Sequence, residues 1–222
     1  MWEDHVLYID SEAIVIDKPA GLAVHPGPRT PRSLEDHLRY LRFGFHREPA
    51  PVHRLDRDTS GCLLLARHAK AHKRFQRAFE EGGVRKTYAA VLDGEPEGEE
   101  GLIDLALTKV SSREAGWRMI GDSGGKPSRT RWRVVHWQDG RALVRFEPET
   151  GRTHQVRVHA AEGLGAAVVG DPIYGTGSAV PLLLHAVALE VGRDGKPPVI
   201  ATAPLPERFG AWRAHWPASD EG

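Results

Sequence analysis

Cysteine occurs once, at Cys62. An internal disulfide is therefore excluded, and so is a zinc site built from four thiolates. No run of about 18 apolar residues exists, which leaves no candidate membrane-spanning helix. The first residues, Met1-Trp2-Glu3-Asp4-His5, are acidic and lack an apolar core, so no secretory or organellar leader is expected. Neither charge sign is in excess, because 30 Lys and Arg balance 30 Asp and Glu. Internal repeats and long linkers are lacking too. These absences point to a cytoplasmic protein with no contact to a membrane, and a monomer is the expected state. A hydrophobic fraction of 40% over 222 residues suffices for one core, in a single domain or a domain with two lobes.

The balanced total hides an uneven distribution. Residues 51 to 90 hold nine Lys and Arg against four Asp and Glu, whereas residues 92 to 104 hold six acidic groups and no basic one. A nucleic-acid surface needs a local basic face rather than a basic total. Arginine supplies 23 of the 30 basic residues, which suits phosphate forks and base stacking.

The most informative stretch is His53-Arg54-Leu55-Asp56-Arg57-Asp58-Thr59-Ser60-Gly61. A carboxylate, Asp56, sits between two arginines just ahead of turn formers. The apolar run Cys62-Leu63-Leu64-Leu65-Ala66 follows and reads as a buried strand. A carboxylate at the edge of a core with cations nearby can stay ionised where water is scarce. Such a group can serve as a nucleophile or a base. An Asp in a turn can equally cap the backbone.

Around it, His5 to Ile9 and Ala13 to Asp17 read as a strand pair. Ser33 can cap a helix over Leu34 to Leu41, and residues 44 to 51 read as loop. His68 to Glu80 predicts a helix with Ala71, Phe75, Ala78 and Phe79 on one face. Its Lys70, Lys73, Arg74 and Arg77 form either a phosphate-tracking face or an ordinary solvated one. Thr87 to Leu92 has strand character. Lys109 to Pro127 reads as a mobile hairpin or loop. Arg129 to Trp137 and Ala142 to Pro148 predict an antiparallel pair across Gln138-Asp139-Gly140. His154 to Glu162 reads as a helix. A last helix spans Pro206 to Trp216, packed by Phe209, Trp212 and Trp216. Residues 217 to 222 read as a disordered tail.

The Asp56 stretch resembles the HRLD-x-x-TSG signature of the RluA family of RNA pseudouridine synthases. Four further segments resemble the family's in the same order: Lys18-Pro19-Ala20-Gly21-Leu22-Ala23-Val24-His25-Pro26-Gly27, Lys86-Thr87-Tyr88, Gly151-Arg152-Thr153-His154-Gln155, and the closing Gly170-Asp171-Pro172-Ile173-Tyr174-Gly175 with Leu184-His185-Ala186. The resemblance implies an α+β fold: a mixed, mainly antiparallel central sheet with flanking helices and a central catalytic cleft. It implies one catalytic domain over residues 1 to 216. The signature arrives by residue 53, so an added amino-terminal RNA-binding module is not expected.

The implied reaction isomerises uridine within RNA to pseudouridine, without metal, nucleotide or organic cofactor. The implied partner is structured RNA, ribosomal or transfer, presenting a stem-loop. Asp56 is the expected essential residue, acting either on the sugar as a nucleophile or as the base that lets a glycal form. Arg152 is the expected ion-pair partner of Asp56, and Tyr88 is expected to stack on the flipped uracil. Arg54 is expected to serve flipping, which costs a few kcal/mol of unstacking. Lys86 braces the site or meets phosphate, Arg157 reaches RNA, and Leu184 lines an apolar pocket wall. His53, Thr59, Ser60 and Gly61 shape the turn.

Other readings are weaker. A protein-kinase HRD motif is interrupted by Leu55, and Gly61 stands where an Asn is required. The twelve histidines include His68 and His72 at four-residue spacing but no HExxH. A glycosidase pair of Asp56 and Asp58 would sit two residues apart across a turn, too close to face each other reliably. The competing class is a non-catalytic RNA-binding protein that keeps the synthase fold. Such a protein would be expected to lose Asp56, Tyr88 or Arg152, and this chain retains all three.

Overall fold

A computed structural model describes residues 2–27, 30–112, 116–177 and 180–217. The chain forms two compact units. One comprises Met1–Lys86 and Ala186–Ala203, the other Thr87–His185 and Pro204–Gly222. The expected tail lies almost wholly outside the described residues. The fold is α+β, a mainly antiparallel sheet with flanking helices, as the sequence leads one to expect.

In chain order the first strands are β1 (Val6–Ile9), β2 (Ala13–Lys18), β3 (Ala50–Pro51) and β4 (Ser60–Ala66). Helix α1 (Ala69–Glu80) and strand β5 (Val84–Leu92) follow. Next come β6 (Glu100–Asp104), β7 (Leu107–Ser112), β8 (Gly116–Gly121), β9 (Arg129–Gln138) and β10 (Arg141–Pro148). Helix α2 (Gln155–Val158), β11 (Leu184–Val191) and β12 (Val199–Thr202) complete the set.

The first unit is organised by β4. All seven of its residues are buried, as a continuous apolar run demands when both faces are covered. β2 pairs with it antiparallel, matching Ile16 to Leu63 and Lys18 to Gly61. Gly61 has a φ of +109, and a Cβ there would lie 2.2 Å from the Ala186 carbonyl oxygen. Only glycine fits so close an approach of two backbones. Helix α1 lays Ala71 and Phe75 into a core that also holds Val15, Leu64, Leu189 and Ala201.

Helix α1 is a structural element. His68 is its N-cap, its Nδ1 accepting from the Ala71 N–H at 3.1 Å. His72 bonds the Pro51 carbonyl at 3.0 Å. Arg74 pairs with Glu12, and Arg77 with Glu81. Among its four basic groups, two are thus neutralised by carboxylates, which favours the solvated-face reading. The segment Leu34–Leu41 is helical as expected but winds as a 3-10 helix behind a capping box of Ser33 and Asp36.

The second unit is built on the β9–β10 hairpin. Its turn residues Asp139 and Gly140 both have positive φ, +53 and +71, the geometry that makes Asp-Gly a two-residue hairpin signal. β5 pairs with β10, placing Tyr88 opposite Phe146, and β6 pairs with β9. The expected hairpin over 109–127 is the β7–β8 ribbon. Its residue Arg113 lies outside the described residues.

Two further helix expectations hold in extent but differ in winding. The predicted helix His154 to Glu162 is only one α-turn, α2, continued as a wider π-type turn over His159–Gly163. The last helix is a 3-10 segment, Glu207–His215, broken at Gly210, whose φ is +52. Only Phe209 of its three expected packing residues is buried, while Trp212 and Trp216 stay half-exposed.

Candidate active site

In the first unit, Asp56 stands in the loop that joins two paired strands. β3 and β4 pair Ala50 with Ala66 and Pro51 with Leu65, and Val52 N–H donates to the Leu64 carbonyl at 3.0 Å. The signature residues 53 to 59 fill the connection. Leu55 is buried beside the half-exposed Asp56, so the backbone around the carboxylate is anchored. Thr59 N–H closes the turn onto the Asp56 carbonyl at 3.2 Å. Arg54 and Arg57 are exposed. Asp58 is engaged by the Arg57 guanidinium at 3.0 and 3.1 Å, so Asp58 is accounted for as a local partner.

The loop is tied down by a residue that sequence reasoning passed over. Lys18 is fully buried. Its ammonium donates to the carbonyls of Pro19 and Leu22 at 2.8 Å each and of Arg57 at 3.1 Å. Three donors thus meet three acceptors, the full capacity of an ammonium. Gly21 N–H donates to the same Arg57 carbonyl at 2.9 Å. The Lys-Pro-Ala-Gly-Leu segment and the Asp56 loop are therefore one assembly. The signal that could have found this is a lysine ending an apolar strand directly before a Pro-Ala-Gly turn.

His53 fixes the other end of the loop. Its Nε2 accepts from Leu64 N–H at 3.0 Å, and its ring stacks on Phe79 with centroids 4.6 Å apart. Burial, together with the charge of Lys86, pushes its imidazole down to about 3, so it is neutral near pH 7. Burial likewise pushes the Lys86 ammonium down to about 8. These shifts follow from desolvation, which disfavours the charged form.

In the second unit, Arg152 lies in a loop held by Gln155. The Gln155 carboxamide is 4% exposed. Its Nε2 donates to the Arg129 carbonyl and to Thr130 Oγ1 at 3.0 Å each. Its Oε1 accepts from Thr150 Oγ1 at 2.7 Å and from Arg152 N–H at 2.9 Å. The network continues to buried His159, which bonds Thr130 Oγ1 at 2.8 Å and the Leu105 carbonyl at 3.1 Å. The Arg152 side chain donates to the Pro127 carbonyl at 3.2 Å.

His154, just ahead of α2, is left-handed with φ +54. The β7–β8 ribbon is fastened to it: Trp117 stacks on its ring at 5.1 Å, and Tyr174 Oη bonds His154 Nδ1 at 2.9 Å while accepting from Met119 N–H at 3.0 Å. Arg157 is buried in a bidentate pair with Asp171, both contacts 2.7 Å. Leu184 is buried among Leu182, Val156 and Phe146. Tyr88 is half-buried against the same core. Thus Arg54, Asp56 and Lys86 belong to the first unit, and Tyr88, Arg152, Arg157 and Leu184 to the second. No cluster of three or more His, Cys, Asp or Glu side chains arranged to hold a metal occurs among the described residues.

Both strand-borne loops present functional groups on rigid supports, and the sequence segments that build them are shared with known proteins. The profile described as RNA pseudouridylate synthase matches residues 12–162. An uncharacterised RNA pseudouridine synthase of Zymomonas mobilis is 54% identical over 207 residues, covering 92% of this chain and 94% of that one. The chain belongs to the RNA pseudouridine synthase family. The solved structure of human RNA pseudouridylate synthase domain containing 1 is similar, with 30% identity and a TM-score of 0.75 over 90% of this chain and 82% of that one. Human RNA pseudouridylate synthase domain containing 4 shares the fold, with a TM-score of 0.79 at 23% identity over 96% and 92% of the two chains. As a pseudouridine synthase the chain is an isomerase acting on RNA.

Proposed function

We propose that Asp56 carries the chemistry of this synthase and that its substrate is a stem-loop of ribosomal or transfer RNA. The observation that supports this most is the Asp56 loop itself: a half-exposed carboxylate on an anchored turn, with its following carbonyl held by Lys18. Preorganisation of this kind lowers the cost of reaching a reactive geometry. In the reaction the bond from ribose C1′ to uracil N1 breaks, the uracil turns, and C1′ bonds to C5. C5 gives up its proton and N1 gains one, so nothing is oxidised or hydrolysed.

On this reading Asp56 either attacks C1′ or removes a proton from the ribose, and both routes need it ionised. Arg152 is the cation that the family resemblance assigns to the reaction. Tyr88 offers a flat partner for the displaced uracil, and Arg54 replaces the uridine in its stack. Lys86 braces the loop through its neighbour His53. Arg157 acts by holding Asp171, and so the Tyr174 turn, rather than by touching phosphate. Leu184 contributes apolar wall. The segment Lys109 to Pro127, with exposed Trp117 and Arg118 on the β7–β8 ribbon and Lys126 beyond it, is the proposed arm that closes over RNA. The working form is a monomer without cofactor.

The test is tritium release from RNA labelled at uracil C5. The wild-type protein is expected to release tritium and Asp56→Asn to release none while still binding RNA. Equal release by the two proteins would refute the role of Asp56.

A further inference from the structure

A second surface lies upstream of the Asp56 loop. Residues 39 to 47 read Arg-Tyr-Leu-Arg-Phe-Gly-Phe-His-Arg, aromatic and basic residues interleaved. Leu41 is fully buried and pins the segment to the core. Its neighbours point outward: Tyr40 is 54% exposed and Phe45 36%. Arg39, Arg42, His46 and Arg47 are exposed as well. The chain reverses at Phe43 and Gly44, with φ of +42 and +85. A left-handed phenylalanine is strained and persists only where the surroundings enforce it.

Arg67 enforces it. Its side chain is buried and donates to the carbonyls of Arg42 at 3.0 Å, Phe43 at 2.8 Å and Asp10 at 2.6 Å. The same guanidinium lies 3.8 Å from the centroid of the Phe45 ring. Arg39 repeats the arrangement on Tyr40, with its guanidinium 4.7 Å from the ring centroid and its Nη2 donating to the hydroxyl at 2.7 Å. Each exposed ring is therefore backed by a cation. The one carboxylate of the segment's far end, Glu48, pairs with Arg42 at 2.7 Å. Three arginines face one glutamate.

A strained, arginine-clamped loop that holds Phe45 in water, next to Tyr40 exposed on the Leu34–Leu41 helix, does not serve the core. The core would bury the rings, and a solubilising loop would omit them. Rings backed by guanidinium and flanked by further arginines match the faces of unpaired bases and the phosphates between them. Paired bases hide those faces within the helix, so the match is to single-stranded nucleotides. Pro49 and β3 carry the chain from this segment straight into the Asp56 loop.

We propose that Arg39 to Arg47 is a stacking platform for unpaired nucleotides of the RNA, with Tyr40 and Phe45 taking bases and Arg47 taking phosphate. The proposal rests on the reading of RNA as the substrate and adds a subsite to it.

The test is fluorescence anisotropy with two labelled probes, a single-stranded oligouridylate and a blunt RNA duplex of the same length. Two variants are compared with wild type. Y40A/F45A deletes the rings. Y40L/F45L keeps apolar bulk without a π face, so that loss of fold and loss of stacking are separated by their melting curves. The Leu variant is expected to melt like wild type, to bind the single strand about 10- to 100-fold more weakly, and to bind the duplex unchanged. Unchanged affinity for the single strand in the Leu variant overturns the platform, as does an equal loss on both probes. Failure of the wild-type protein to bind the single strand overturns the platform alone, because the RNA reading is tested separately by tritium release from a labelled stem-loop. Wild-type binding with no effect of the variants likewise overturns the platform alone.

Discussion

The ammonium of Lys18 lies 3.1 Å from the main-chain carbonyl of Arg57, the residue that follows Asp56. A fully buried charge is tolerated only when its hydrogen bonds are met. Three main-chain carbonyls accept from Lys18, and one of those belongs to the Asp56 loop. The amino-terminal segment therefore sets the backbone position of the carboxylate.

Lys18→Met removes the ammonium from three main-chain carbonyls: Arg57 keeps its bond from Gly21 N–H, whereas Pro19 and Leu22 lose the Lys18 donor. Unsatisfied groups of this kind cost about 1–3 kcal/mol each. The expected result is a clear fall in melting temperature together with loss of tritium release, whereas Asp56→Asn loses release alone. Wild-type melting in Lys18→Met would contradict the anchoring role.

Gly61→Ala places a methyl group 2.2 Å from the Ala186 oxygen at a φ of +109. Both the clash and the backbone strain oppose it, and a loss above about 3 kcal/mol is expected. Thermal unfolding checks this. A variant as stable as wild type would mean that β4 does not approach Ala186 as described.

The His53 imidazole is held near 3 in the fold, against an ordinary value of 6.5. Between those values the unfolded chain binds the proton and the folded chain does not, so stability rises with pH across this window. Acidification below about 6.5 should weaken the fold progressively until pH nears 3. Protonation would also remove the acceptor that Nε2 offers to Leu64 N–H. Denaturant midpoints of wild type and His53→Gln, followed from neutral to acid pH, should converge as pH falls. Parallel curves would show that the imidazole binds its proton equally in the folded and unfolded chain.

Arg152 is exposed and its backbone is held by Gln155. Arg152→Ala is expected to melt close to wild type and to lose about 100-fold or more in turnover, the scale of a lost electrostatic partner. Gln155→Ala, in contrast, should lower both melting temperature and turnover. Near-normal turnover in Arg152→Ala would remove this residue from the mechanism.

Much of this was legible in the sequence, for reasons that differ from element to element. The run 62–66 declared β4, because a strand covered on both faces is apolar throughout. Asp139-Gly140 declared its hairpin, because two successive positive φ values suit few other pairs. The final segment misled, because Trp212 and Trp216 have helical spacing while Gly210 takes a φ that breaks the winding. The π-type turn after α2 was hidden since wide turns have no composition of their own. The candidate roles of Asp56, Tyr88 and Arg152 came from the family resemblance. Lys18 was missed because its partners are main-chain carbonyls, which leave no mark in a sequence. The partner of Arg157 was missed because Asp171 is remote in the chain and only folding joins the two.

The most direct test of the central claim is a pseudouridine map of total RNA from cells lacking this protein, complemented with wild type or with Asp56→Ala. The account predicts that a discrete pseudouridine in ribosomal or transfer RNA is lost and that wild type alone restores it. Restoration by Asp56→Ala would contradict the claim.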